Sequence, residues 1–361
     1  MGRISKVTKL TALSFVGFLL ASGAVGLAYR AYQQHQIAKT LRINTPNGID
    51  EREFVKIGDI NQWITIRGRD RDNPILLILH GGPGATTSPL APNFLGWEND
   101  FTIVQWDQRG AGKTFGKSGP LDSAITINRM AQDGLELSNF VRRHLNKDKI
   151  ILLGWSWGST LGIEMVKERP DLFYAYVGTG QIVNVRKNYA FGYSRLLAEG
   201  RARADQTGVS ELEAIGPPPF NSILKLGVYT RQARAHEAGA PSTLDTMSAI
   251  LLAPGYSTAP IRPCIRRAQA PKIQKTVSPL HSINGSRALN SVGSVHTKLV
   301  GFLDRFFMSL RGLRYTVCMC MLTKRPDSSG GKNVDTRTCP AYAVAAKHCT
   351  DNRAEDSFGG C

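Results

Sequence analysis

The stretch Ile150-Ile-Leu-Leu-Gly-Trp-Ser-Trp-Gly-Ser159 constrains this chain more than any other. Its apolar beginning reads as a strand buried on both faces of a sheet. A Gly-x-Ser-x-Gly turn follows, and Ser159–Glu168 then has helical character up to Pro170. A strand that turns directly into a helix brings two backbones close together, and glycines on either side of Ser156 permit that approach. The turn lifts the serine oxygen above the end of the strand. In a chain with 36 glycines the five-residue pattern alone is weak. Its strand–turn–helix setting is what gives it meaning.

The neighbouring segments repeat that setting. Pro74–Leu79 and Phe101–Trp106 are apolar runs bounded by turns, and Lys149–Leu153 and Tyr174–Val183 are further strand-like segments. Glu53–Gly58 and Gln62–Gly68 read as a hairpin around Asp59-Ile-Asn61. Thr126–Leu145 spaces Ile127, Met130, Leu135, Leu137, Val141 and Leu145 roughly as an amphipathic helix. Strands alternating with helices predict an α/β fold, a mostly parallel sheet with helices on both faces.

Three glycine-bearing turns follow successive strands: His80-Gly-Gly-Pro-Gly84, Asp107-Gln-Arg-Gly110 and Gly154-Trp-Ser-Trp-Gly158. Their chemistry fits acyl transfer. A helix opening at Ser156 offers unpaired N–H groups to developing negative charge, and glycines after the first strand can aim another N–H at the same point. Gly110-Ala-Gly-Lys-Thr114 looks like the end of a phosphate-binding loop, but Asp107 stands where that motif needs glycine, so nucleotide binding is rejected.

The segments "LLILHGGPG", "VQWDQRGAGKT", "LLGWSWGS" and "LEAIGPPPF" together resemble the proline iminopeptidase branch of the α/β-hydrolase fold, over about residues 50–257. The resemblance implies that Ser156 is the nucleophile. It implies an oxyanion hole from the N–H groups of Trp157 and of Gly81 or Gly82, and a helical cap beginning near Arg186. The implied substrate is a small peptide that loses its N-terminal residue, often proline. Cap carboxylates would hold its free amine, for which Glu199, Glu211, Glu213 and Glu237 are available, each also readable as a solvated helix charge. An esterase of the same fold, or a catalytically dead binding protein, are the alternatives. Such chemistry requires no metal and no cofactor. His80 is not the expected base, because chains of this fold run Ser, then Asp or Glu, then His.

Arg3, Lys6 and Lys9 precede Leu10–Tyr29, which carries no charge and is long enough to cross a bilayer. Residues 1–30 therefore read as a signal anchor, or as a signal peptide cut near Ser22–Ala24 or Gly26–Ala28. The protein is expected in a membrane, or exported if the segment is removed. Residues 31–50 read as a polar linker, 51–185 as the hydrolase core and 186–257 as the start of the cap.

The last third departs from the family. Residues 261–361 carry 16 Lys/Arg against 6 Asp/Glu and all six cysteines. The formal charge of the whole chain is +17, yet no basic stripe interleaved with aromatics marks its earlier part, so no nucleic-acid partner is expected. Residues 258–300 read as an insertion, because Phe302–Thr316 resembles a cap helix that should join Tyr256-Ser257 directly. Residues 301–317 are thus a cap-like helix and 318–361 an irregular tail, replaced or read out of frame. The C-terminal strands of the fold are expected to be missing or replaced, leaving a parallel edge uncovered. The acid and base are unassigned. Chain order allows Asp304, Asp327 or Asp335 before His348, with Asp327 and His348 each after an apolar run, and His281 and His296 fall in the insertion. Oligomeric state is not legible.

Overall fold

The computed structural model describes residues 2–82, 84–119, 125–182, 184–220, 222–236, 243–256 and 317–321. They divide into two compact units. The larger contains the sheet. The smaller contains helix α1 (Gly2–Thr40) and helix α8 (Thr243–Leu252).

The sheet has seven strands: β1 (Ile49–Ile57), β2 (Ile60–Gly68), β3 (Ile75–Leu79), β4 (Thr102–Asp107), β5 (Ile150–Trp155), β6 (Phe173–Thr179) and β7 (Val317–Met321). Their spatial order is β1-β2-β4-β3-β5-β6-β7. β1 and β2 form the predicted hairpin, tighter than expected, with only Gly58-Asp59 between the paired Ile57 and Ile60. β4, β3, β5 and β6 are parallel. Their continuous apolar runs are explained by burial on both sides. Leu77, Leu79, Val104, Ile150 and Leu152 pack with helices α3 (Ile127–His144) and α4 (Trp157–Glu168) in one core. The alternate residues Leu76, Ile78, Ile103, Ile151 and Val177 are equally buried. The predicted α/β class and mostly parallel sheet hold.

Helix α3 is capped by Thr126, whose side chain accepts from Arg129 N. It ends in Arg142, Arg143 and His144, cations that suit the negative end of a helix. After β6 come α5 (Val185–Ala202), α6 (Gln206–Ile215) and α7 (Ile223–Ala235). They share a small core of Tyr193, Leu196, Leu212 and Ile215.

Three expectations are corrected. The linker predicted over residues 31–50 is helical as far as Thr40, because residues 30–40 contain no Gly or Pro and breakers begin only at Thr45-Pro-Asn-Gly48. The strand predicted to reach Val183 stops at Thr179, where Gly180 adopts φ +57°. β7 forms where the irregular tail was expected, and it pairs antiparallel with Ala175–Thr179. The edge of β6 is therefore covered by an antiparallel strand in place of the parallel continuation the resemblance implies. The expected insertion and most of the cap-like helix fall within residues 257–316, outside the described residues, as does the tail after Met321.

Candidate active site

Ser156 sits between β5 and α4 with φ 53° and ψ −116°. Positive φ is costly for a residue with a Cβ, so the surroundings must hold it. Two glycines make the turn possible. A Cβ on Gly154 would lie 2.6 Å from the Gly158 carbonyl oxygen, and one on Gly158 would lie 1.9 Å from the Leu79 carbonyl oxygen. The turn is also braced by hydrogen bonds. Ser156 N donates to Thr179 O at 2.9 Å. Ser159 donates twice to Ser156 O, from its N–H at 2.9 Å and its hydroxyl at 2.6 Å. The same hydroxyl accepts from Ile182 N at 3.1 Å. Tyr176 OH, donating to Ser159 O or to Gln181 Oε1, lies within 2.8 Å of both. The sequence pattern assigns Ser159 no role. Its position one turn into the helix was the only signal for it.

The structure brings three of the four predicted site residues together. A Cβ on Gly81 would lie 3.5 Å from Ser156 Cβ, so the loop after β3 touches the turn after β5. Trp157 is the first residue of α4, and its N–H has no acceptor within the helix. Gly82 is one residue farther along, with φ +132°, and a Cβ there would meet Gly84 N at 2.8 Å. Ser156, Trp157 and Gly81 thus stand together at the carboxyl ends of the adjacent parallel strands β3 and β5, where open α/β sheets place ligands.

His80 is not available as a base. It is fully buried, its Nδ1 lies 2.8 Å from Gly81 O, and its Nε2 accepts from Gln108 N at 3.3 Å. These contacts define a neutral ring with the proton on Nδ1. Burial lowers its pKa to about 4. Its role is to tie the loop after β3 to the loop after β4.

Asp107 organises the next loop from a buried position. Its carboxylate accepts from Ser88 Oγ at 2.5 Å, from the Thr86 hydroxyl and from Lys113 N at 2.8 Å. Burial raises its pKa against the pull of those hydroxyls. Thr114 Oγ1 donates to Asp107 O and accepts from Trp63 N. The phosphate-loop look-alike is turned inward onto Asp107. Arg109 joins Asp133 at 2.7 Å and Asp59 at 2.6 Å.

Ser156 Oγ has no hydrogen-bond partner among the described residues. His144 pairs with Glu51 and His236 bonds Gln232 O, neither at the turn. Asp304, Asp327, Asp335, His281, His296 and His348 lie outside the described residues. The glutamates of α5 and α6 are already engaged. Glu199 pairs with Arg195 at 2.6 Å, Glu211 with Arg231 at 2.7 Å and Glu213 with Arg201 at 2.8 Å. Arg195 holds the Glu199 carboxyl below its usual range, and Arg231 does the same for Glu211. Glu237 lies outside the described residues.

Comparison with known proteins agrees with this architecture. Residues 74–209 match the family described as alpha/beta hydrolase fold. A probable aminopeptidase of Bacillus subtilis is 34% identical over 178 residues, 48% of this chain and 55% of that protein. A probable proline iminopeptidase of Streptomyces coelicolor is 32% identical over 129 residues, 35% of this chain and 39% of that protein. Among solved structures, a proline iminopeptidase-related protein of Thermus thermophilus is 20% identical, covers 57% of this chain and 66% of its own, and gives a TM-score of 0.41. The chain spans about half the length of the first of these curated relatives and less of the second. Residues 74–209 have the alpha/beta hydrolase fold, and the chain is similar in sequence to an aminopeptidase and to a proline iminopeptidase.

Proposed function

We propose that this chain is a serine hydrolase of the proline iminopeptidase type, releasing N-terminal residues, proline among them, from small peptides. The observation that carries the reading is the strained Ser156, held at φ 53° beside Gly81 at the carboxyl end of the sheet. In the proposed reaction Ser156 Oγ attacks the substrate carbonyl and loses its proton to a base. The N–H groups of Trp157 and of Gly81 or Gly82 hold the oxyanion. The carbon–nitrogen bond breaks, the amine leaves with the proton, and water then releases the acyl group from Ser156. Asp327 and His348 supply acid and base in this reading, by chain order alone. The test is labelling of the full chain with a fluorophosphonate. Labelling that Ser156→Ala abolishes supports an activated serine. Folded protein that does not label is a binding protein on a hydrolase fold.

A second reading, ester hydrolysis, is favoured by one observation: Glu199, Glu211 and Glu213 are each paired with an arginine. Exposed ion pairs are weak and can be displaced, so the two readings divide on kinetics. Replacing the three glutamates with glutamine raises KM for an amine-bearing peptide and leaves KM for a neutral ester unchanged.

The N-terminal helix is long and apolar enough to span a membrane. We assign its Leu10–Tyr29 segment as a single-pass anchor, with Arg3, Lys6 and Lys9 on the cytoplasmic side.

A further inference from the structure

The smaller unit links the anchor helix to a helix more than 200 residues away. Arg30 is the first charged residue after the uncharged run Leu10–Tyr29. Twenty helical residues span about 30 Å, the thickness of a hydrocarbon core. If that run is the anchor, Arg30 marks the headgroup level. Tyr29 and Tyr32 flank it and are 56% and 59% exposed, as interfacial aromatics are. No acidic residue follows before Asp50, while Lys39 and Arg42 add positive charge that anionic headgroups attract.

At that level α1 holds the end of α8. Arg30 Nε donates to Leu251 O at 2.9 Å, Arg30 Nη2 donates to Tyr256 O, and Gln34 Nε2 donates to Ala253 O at 2.9 Å. α8 ends at Leu252, so carbonyls in its final turn and just beyond lack a helical donor. Arg30 and Gln34 supply those donors, and the guanidinium also suits the negative end of the helix. The C-terminus of α8 is therefore fixed at the depth of Arg30. Met247 and Leu251, four residues apart and so on one face, are 45% and 43% exposed.

We propose that α8 is an interfacial helix, seated on the bilayer where α1 emerges, with Met247 and Leu251 turned into the acyl boundary. A helix in that position holds its apolar face in the headgroup region without crossing the membrane. This proposal rests on α1 being retained as an anchor and adds a second contact with the lipid surface.

The experiment uses the full chain in vesicles of phosphatidylcholine and phosphatidylglycerol. Alkaline carbonate extraction and intact mass test the anchor. Protein that stays with the membrane and keeps residues 10–29 supports it, and soluble protein cut between Ser22 and Arg30 overturns it. The variants Leu251→Trp and Met247→Trp test α8. Relative to wild type, their added emission is quenched at least twofold more by lipids brominated near the headgroup end of the chain than by lipids brominated deeper. Added emission that neither lipid quenches, in protein that remains membrane-bound, overturns the seating of α8 and leaves the anchor standing. Arg30→Ala tests the link between them. Chymotryptic cleavage within Leu251–Tyr256 becomes about fivefold faster, with Arg30→Lys in between. An unchanged rate overturns the clamp.

Discussion

Gly158 lies against the end of β3 so closely that a Cβ would stand 1.9 Å from the Leu79 carbonyl oxygen and 2.9 Å from that of His80. Both obstacles are backbone, so neither can swing away as a side chain would. Gly158→Ala must push α4 off the sheet and with it Ser156. The expected cost is about 3 kcal/mol, at the upper end for overpacking, together with loss of fluorophosphonate labelling. Gly116 in helix α2 (Gly112–Ser118) is the control. A Cβ there meets nothing within 4 Å. Gly116→Ala should raise stability by about 0.5–1 kcal/mol. Urea denaturation of the two variants, side by side, checks the pair. Equal effects would refute the steric account.

Ser159 holds the proposed nucleophile through its own hydroxyl, which donates to Ser156 O and accepts from Ile182 N. Ser159→Ala leaves Ile182 N without this partner and removes one of two Ser159 donors from Ser156 O. A lost hydrogen bond at a buried site costs about 1–2 kcal/mol. If the turn also loses its geometry, labelling of Ser156 slows by roughly tenfold, and the urea midpoint falls by no more than that cost implies. A large fall in stability with an unchanged labelling rate would show Ser159 to be purely structural.

Arg109 and Asp133 form a buried pair, 3% and 1% exposed at their side chains. They fix the loop after β4 to α3, and Gln62 Nε2 adds a third contact to Asp133 at 2.8 Å. Arg109→Met leaves the carboxylate with Gln62 and Arg129 alone. Removing one partner of a buried pair costs about 3–5 kcal/mol, and the remaining contacts place this case near 3. Arg109→Met with Asp133→Leu should recover part of the loss, because no unpaired charge is then buried. Urea midpoints of the single and double variants measure the coupling. Strict additivity would show that the pair contributes nothing as a pair.

The positions of β3, β4 and β5 were legible because doubly buried strands are continuously apolar and glycine-bearing turns follow each one. Ser156 was legible for the same reason. What escaped depended on partners distant in the chain. Val317–Met321 has no alternation to mark it as an edge strand, and its pairing with β6 is a property of the sheet. The Arg195–Glu199 pair follows from helical spacing, but Arg201–Glu213 and Arg231–Glu211 join different helices. α1 runs on past Tyr29 because residues 30–40 contain no Gly or Pro, and polar residues without those breakers are compatible with a helix as well as with a linker. His80 could be dismissed as a base by chain order. Its actual work, bridging Gly81 and Gln108, needed coordinates.

That bridge predicts a pH dependence of stability. His80 is neutral in the folded state, with a pKa lowered from 6.5 to about 4 by burial. Between those values the unfolded chain binds a proton that the folded chain does not, so stability rises with pH across this window and is lost as pH falls from about 6.5 to about 4. The full loss is about 3 kcal/mol, from 1.36 kcal/mol per unit of pKa. Asp107 and Glu98 act in the opposite sense, because burial raises both. Their folded forms hold protons more tightly than the unfolded chain and gain stability as pH falls. The informative quantity is therefore the difference between wild type and His80→Gln, which keeps both carboxylates and a side chain able to donate and accept. Urea midpoints between pH 7 and pH 4.5 should fall more steeply for wild type than for the variant. Parallel curves would mean that the His80 ring is protonated in the folded protein, and the neutral bridge between the two loops would have to be abandoned.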